Sequence, residues 1–446
     1  MNAVQGRMGA GAVNRNDAVR QIFAGRKAQP GPYGLTSREF AVFCSVFEID
    51  SPARLRALST AYQVSWQYLA PFITKVAADM LPDLKRITAA NYRAQVIFIG
   101  RDGFSLGYVI RQMDPLFHNQ RCREFQVSRS MADAAVHEAE SWPLTGLGGI
   151  AAFRKDGPHR SPTRARTGWQ DLVQAFERDA AYLDRSGAEF VLVDTGYKGS
   201  IQEMLAAAFP TAKFHGCYVF CGESPDDPHP GTKKGYALHL HAENSFGGRA
   251  IRDHLLDDPD LTFAHHDAIV AVEELLKGAD SPASASAKPG NESCLAGLNP
   301  IRVAHEYTTN SVREAVLAMV LRATSDYAAL YAATQGPAIR IARAALAEGA
   351  ERLRRELHDW MARRPGHSAL RRLLDSFVRR ADKDLVERLA GAMQAMALTP
   401  AQRHALWAGF DACDSLTCKE HLVTSCTHTP QSAQEIARTL LAAKGR

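Results

Sequence analysis

The chain has 446 residues, enough for a sizeable core and for two or more folding units of roughly 100–200 residues. The formal net charge is only +5 and neither Lys nor Arg gathers into a long block, so nothing calls for a nucleic-acid partner, while anionic small molecules stay open. Eight cysteines spread over this length, several in apolar settings such as FAVFCSVF, exclude the dense disulfide framework of a small secreted domain and point to a reducing cytoplasm.

Residues 1–34 carry arginines but no apolar segment followed by a cleavage pattern, and read as a loose tail without a secretory signal. No stretch approaches the ~20 mostly apolar residues needed to cross a bilayer, so no membrane span is expected. Residues 35–90 place apolar side chains at helical spacing, with Ser51 and Pro52 as cap and first turn, and form a helical lead-in. Over 91–277 the pattern changes. AQVIFIG, EFQVSRS, AEFVLVD and KFHGCYVFCG are short apolar runs; SLGYVIRQM, WQDLVQAFERDAAYLDRSG and SIQEMLAAAF between them are helical. Strands alternating with helices imply crossover connections, hence an α/β, Rossmann-like core with a mainly parallel sheet. Residues 278–299, rich in Ser, Ala, Pro and Gly, read as a flexible linker. Residues 300–446 are helical in pattern almost throughout and suit a bundle or a surface that binds a protein partner.

Two strand ends carry the chemistry. In open α/β sheets, ligands collect beyond the carboxyl ends of the strands, where loops lead into helix amino termini. One such end is VIFIG followed by Arg101, Asp102 and Gly103. There Arg101 can fork onto an anion and Asp102 can handle a proton or a metal; the plain alternative is an Arg–Asp pair closing a turn. The other is EFVLV with Asp194, then Thr195, Gly196, Tyr197, Lys198, Gly199 and Ser200 before a helix. Glycines let backbone amides approach an anion, the helix start favours negative charge, and Lys198, Thr195 and Ser200 add direct contacts. The order of residues is not that of a Walker A loop. The plain alternative is a strand-to-helix turn in which Ser200 caps the helix.

In combination, IFIGRDGFSLGYVI, FQVSRSMADAAV, VLVDTGYKGSIQEML and HGCYVFCGES resemble the haloacid-dehalogenase-like domains of bacterial proteins linked to surface polysaccharide synthesis. The resemblance covers about residues 94–240. It implies a Rossmann-like core and a phosphatase or phosphotransferase acting on a phosphorylated sugar or nucleotide, usually with magnesium, here held by Asp102 and Asp194. The superfamily's nucleophilic aspartate would align with Gly100, and Asp102 with its acid–base partner. Without a carboxylate at position 100 the usual covalent intermediate cannot form there, so Asp194 would act differently or only bind the metal. A non-catalytic module that binds a phosphorylated ligand is the corresponding alternative.

The same loops also resemble those of phosphoribosyltransferases. That resemblance implies Asp194 on ribose hydroxyls, residues 195–200 on phosphate, and Arg101 to Gly103 facing pyrophosphate, although the adjacent acidic pair of that family is absent at Asp194 and Thr195. Among smaller candidates, Arg129 in QVSRS is expected near a strand end, where it could add a positive group to the crevice. The basic loop at 156–169 could cover an anionic substrate or be plain solvated loop. His265, His266 and Asp267 are adjacent along a helix and do not share a face, which is poor metal geometry. Cys413, Cys418, His421 and Cys426 are zinc-ligand types at spacings unlike the common knuckles.

Overall fold

The computed structural model describes residues 32–100, 103–140, 149–154, 168–179, 187–278, 295–334, 336–428 and 431–444. Arg101 and Asp102, the tail up to residue 31, most of the basic loop and the linker over 279–294 therefore lie outside the described residues.

Helix α1 (Ser37–Val46) opens on a capping box, Thr36 accepting from the Glu39 amide while the Glu39 side chain accepts from the Thr36 amide. After it α2 (Pro52–Val64) is capped by Ser51 and runs through one π turn, Ser65–Leu69, into α3 (Ala70–Ala90). The sheet then begins with β1 (Gln95–Ile99), followed by α4 (Gly103–Met113), α5 (Pro115–Arg121), β2 (Cys122–Phe125), α6 (Arg129–Ala139) and α7 (Gly168–Asp179). Next come β3 (Glu189–Asp194), α8 (Ser200–Ala208), β4 (Lys213–Gly222), β5 (Lys233–Leu240) and α9 (His266–Leu276). The remaining helices are α10 (Asn310–Ala333), α11 (Ala338–Met361), α12 (Ala369–Phe377), α13 (Lys383–Gln394), α14 (Pro400–Ala412), α15 (Leu416–His428) and α16 (Ser432–Lys444).

The five strands form one sheet in the order β2-β1-β3-β4-β5, and every pairing is parallel. The fold class is thus α/β, as the alternation of apolar runs and helices implies. Both faces of the sheet are covered, which is why its two middle strands are apolar and buried over Val96–Ile99 and Phe190–Val193. Alternate side chains divide between the faces. Val96 and Phe98 of β1, with Val191 and Val193 of β3, enter a core shared with α2, α3, α4, α9, α10 and α12. Ile97 and Ile99, with Phe190 and Leu192, face α6, α7 and α8.

The helices that precede the sheet and α10 belong to one core: the hydroxyl of Ser65 donates to the Val320 carbonyl at 2.9 Å, and Tyr62 to Asp326 at 3.0 Å. The chain between sheet and α10 is a break in composition, but packing continues across it. A separate cluster, with Leu389, Leu406, Phe410 and Val423 at its centre, joins α13, α14, α15 and α16. No helix among the described residues is long and apolar enough to cross a membrane.

Candidate functional site

β1 and β3 are neighbours, paired from Gln95↔Phe190 to Phe98↔Val193, while β2 lies on the far side of β1. The chain leaves β1 toward one edge of the sheet and returns on the other side of it, so the β1/β3 gap is the switch point where open α/β sheets leave a crevice. The loops after both strands reach it. Gly103 opens α4 with its Cα turned to β3; a Cβ there would stand 2.7 Å from the Val193 carbonyl oxygen. This close approach is the physical reason for the glycine. At Gly100, by contrast, a Cβ would meet nothing within 4 Å. Position 100, where the haloacid-dehalogenase resemblance would put a nucleophile, thus has room for a side chain among the described residues.

After β3 the backbone keeps hugging β4. The Phe220 amide donates to the Thr195 carbonyl at 2.9 Å and the Gly222 amide to the Tyr197 carbonyl at 3.2 Å. Gly196, at φ 122°, lies so close that a Cβ would fall 2.0 Å from the Phe220 oxygen. Thr195 is fully buried; its hydroxyl donates to Glu273 at 3.2 Å and its amide to Asp194 Oδ1 at 2.9 Å. Asp194 itself is half-buried at the strand crest. The Tyr197 ring lies against Gly222, and burial pushes its phenol well above the usual range. Residues 195–197 are therefore an extension of the sheet, which leaves 198–200 as the part able to face a ligand.

Lys198 is pinned to a neighbouring wall. Its ammonium donates to the Ala152 carbonyl at 3.0 Å and sits 4.7 Å from the centre of the Phe153 ring. Burial and the nearby charge of Arg249 lower its pKa. Gly199, in the left-handed region at φ 75°, occupies the cap position of α8, and Ser200 is the first helical residue. Having no side chain, Gly199 gives the first amides of α8 no cap. The contrast with α6 is direct: there Ser128 accepts from the Met131 amide at 3.2 Å. The start of α8 thus keeps its amides and its partial positive charge for another acceptor.

Residues that the sequence reading passed over support this helix start from below. Glu203, fully buried in the first turn of α8, accepts from Lys233 and bonds His229 Nδ1 at 2.7 Å. Lys233 also donates to both carboxylate oxygens of Asp227, each at 2.8 Å. The pairs are separated by up to 30 positions, and no local pattern joins them. The one available signal was Glu203 itself, an acidic residue leading the apolar run MLAAA.

Arg129 is the first residue of α6, exposed, and Ser128 and Ser130 beside it share a 2.9 Å hydroxyl contact. Because β2 pairs with β1, α6 starts at the same edge of the sheet as α4 and α8. Arg101 and Asp102 belong to the undescribed pair at the end of β1. His265 caps α9 through Nδ1, 3.1 Å from the Asp267 amide, and Asp267 pairs with Arg380. Cys413 ends α14, while Cys418, His421 and Cys426 lie along α15 with Cys426 buried.

Among the described residues, the metal-ligand atoms that converge are those of Glu223, His239 and His241. His239 Nδ1 accepts the Gly235 amide at 2.9 Å, so the neutral ring carries its proton on Nε2, which faces Glu223 at 3.0 Å. That nitrogen donates a hydrogen bond and has no lone pair for a metal. The cluster holds β5 to the end of β4.

The chain matches no protein-family model, no curated protein and no solved structure.

Proposed function

We propose that the protein binds a phosphorylated sugar or nucleotide in the crevice above β1 and β3 and acts on it as a phosphatase or phosphotransferase resembling the haloacid-dehalogenase group, without that group's usual nucleophile. The observation that carries this reading is the uncapped start of α8 at the switch point, beside the open space at Gly100. Backbone amides at a helix start, with the macrodipole behind them, are a ready anion site. Asp194 stands at the adjoining crest, and Arg129 and the start of α4 flank it on the side of β2 and β1.

The role assigned to each residue follows from what its atoms still have to offer. The amides of Ser200 and Ile201 would receive phosphate oxygens, and Ser200 can add its hydroxyl. Thr195 and Gly196 shape the loop and do not reach the ligand, since their polar groups or their space are taken up by Glu273 and β4. Asp194, whose Oδ1 accepts the Thr195 amide, would bring its carboxylate charge to the crest beside ligand or metal. Magnesium held there with Asp102 would neutralise phosphate charge. With glycine at position 100, binding without turnover is the second reading.

Phosphorus NMR of the protein with sugar phosphates and with phosphoribosyl pyrophosphate, with and without magnesium, tests the proposal. Release of inorganic phosphate, abolished in Asp194→Ala, is the expected result. Pyrophosphate release with a base acceptor would favour a phosphoribosyltransferase, and broadened lines without product would favour the binding module. Undiminished turnover in Asp194→Ala would remove the crest as the site.

A further inference from the structure

A cleft of about 250 Å³, sharing no residue with the crest, lies where three segments meet: the stretch over 252–267 that leads into α9, the residues flanking α12 (361–363 and 380–382), and the turn from α14 into α15. A void beyond Arg380 and Asp382, by contrast, has only about 10 Å³. The larger space suits a small molecule.

Two of the basic groups in its wall are satisfied within the wall. Arg380 Nε donates to Asp267 at 2.9 Å, and the Ala381 amide occupies the other carboxylate oxygen at 2.7 Å. Lys419 donates to Asp382. Two further donors are left over. His265, only 6% exposed, spends Nδ1 on the Asp267 amide, and its Nε2–H has no acceptor among the described residues. Arg363 donates to the Asp411 carbonyl at 2.5 Å but pairs with no carboxylate among the described residues. The remaining acidic residues of the wall, Asp253 and Asp414, are exposed to water.

The backbone under Arg363 sharpens the point. It lies just past the end of α11 at φ 54°, a left-handed position where glycine is the usual residue. Its amide closes the helix end on the Trp360 carbonyl at 3.2 Å, a bond that any residue could make. A glycine would fit the turn better, so the arginine contributes its guanidinium. Partial enclosure, with Arg302 and Arg380 nearby, lowers the pKa of Arg363 against the pull of Asp411 and Asp382, and burial favours neutral His265.

We propose that this cleft is a second ligand site, taking a small multivalent oxyanion, phosphoryl or polycarboxylate, through the guanidinium of Arg363 and the Nε2–H of His265.

The test is calorimetric titration of the full chain with pyrophosphate and, separately, with citrate. At least one anion should bind saturably. Arg363→Gly should weaken that event tenfold or more with no loss of thermal midpoint, because glycine suits the left-handed turn. Arg363→Lys should stay within about threefold of the parent, and the event lost in Arg363→Gly should leave the Ser200 and Ile201 amides unshifted in NMR, which separates this site from the crest. Preference for pyrophosphate assigns the phosphoryl class, and preference for citrate the carboxylate class. Absence of binding by both anions, or equal binding in Arg363→Gly, overturns the proposal.

Discussion

The crest of the sheet and the cleft beside α11 are both polar, but they are assembled in opposite ways. At the crest nearly every side chain of one short run is taken up by the scaffold: Thr195 by Glu273, Lys198 by Ala152 and Phe153, and the backbone of 195–197 by β4. On the proposed reading, what the 195–200 run offers a ligand is chiefly main chain, the uncapped amides of α8, with the Ser200 hydroxyl beside them. In the cleft the main chain is closed off, and what remains is side chain, at Arg363 and His265. A motif that looks like a row of ligand contacts can be mostly architecture, whereas donors far apart in sequence can be the ones left over.

The largest effect that would sharpen this comparison is at Gly196. A valine there must find room where its Cβ would sit 2.0 Å from the Phe220 oxygen, at a φ that β-branched residues do not adopt. Gly196→Val should therefore cost roughly 4 kcal/mol or more, or prevent folding, as read by urea unfolding. A loss below about 1 kcal/mol would mean that the loop is free of the sheet and open to ligand after all.

A somewhat smaller effect is expected at Glu203. Its removal leaves Lys233 buried with only Asp227 beside it, and breaking a buried pair typically costs about 3–5 kcal/mol. Glu203→Ala should fall in that range by chemical denaturation. If stability is kept, the α8 start does not depend on this support.

The mildest of the three concerns pH. The Asp267 carboxyl lies below its ordinary value; burial acts against this, but the charge of Arg380 and the Ala381 amide outweigh it. A depressed folded pKa contributes stability that is fully present above the unfolded value, near about 3.9, and is lost as pH falls through the folded one. Unfolding free energy should thus decline on acidification below about pH 4, and Asp267→Asn should flatten the decline. Identical acid limbs for the two proteins would remove Asp267 from the account.

Much of the sheet was legible because burial on both faces leaves short, branched apolar runs such as VIFI and FVLV between helical segments. β5 was not. KKGYALHL mixes charge with apolar residues because it is the edge strand and mostly half-buried. The loop after β3 was legible as a turn into a helix, but its cap is Gly199 where Ser200 was the plain expectation. The division of labour within that loop was not legible, since the partners that take up Thr195 and Lys198, namely Glu273 and Ala152, lie 78 and 46 positions away. The cleft could not be read at all. Its walls come together only when α9, α11 and α15 pack.

The most direct test of the central claim is amide NMR of the full chain titrated with a sugar phosphate such as glucose 1-phosphate. If phosphate is gripped by main chain at the switch point, the amides of Ser200, Ile201 and Gln202 shift together and saturate. Unmoved amides at those three positions, with shifts confined to the 252–267 segment or absent altogether, would contradict it.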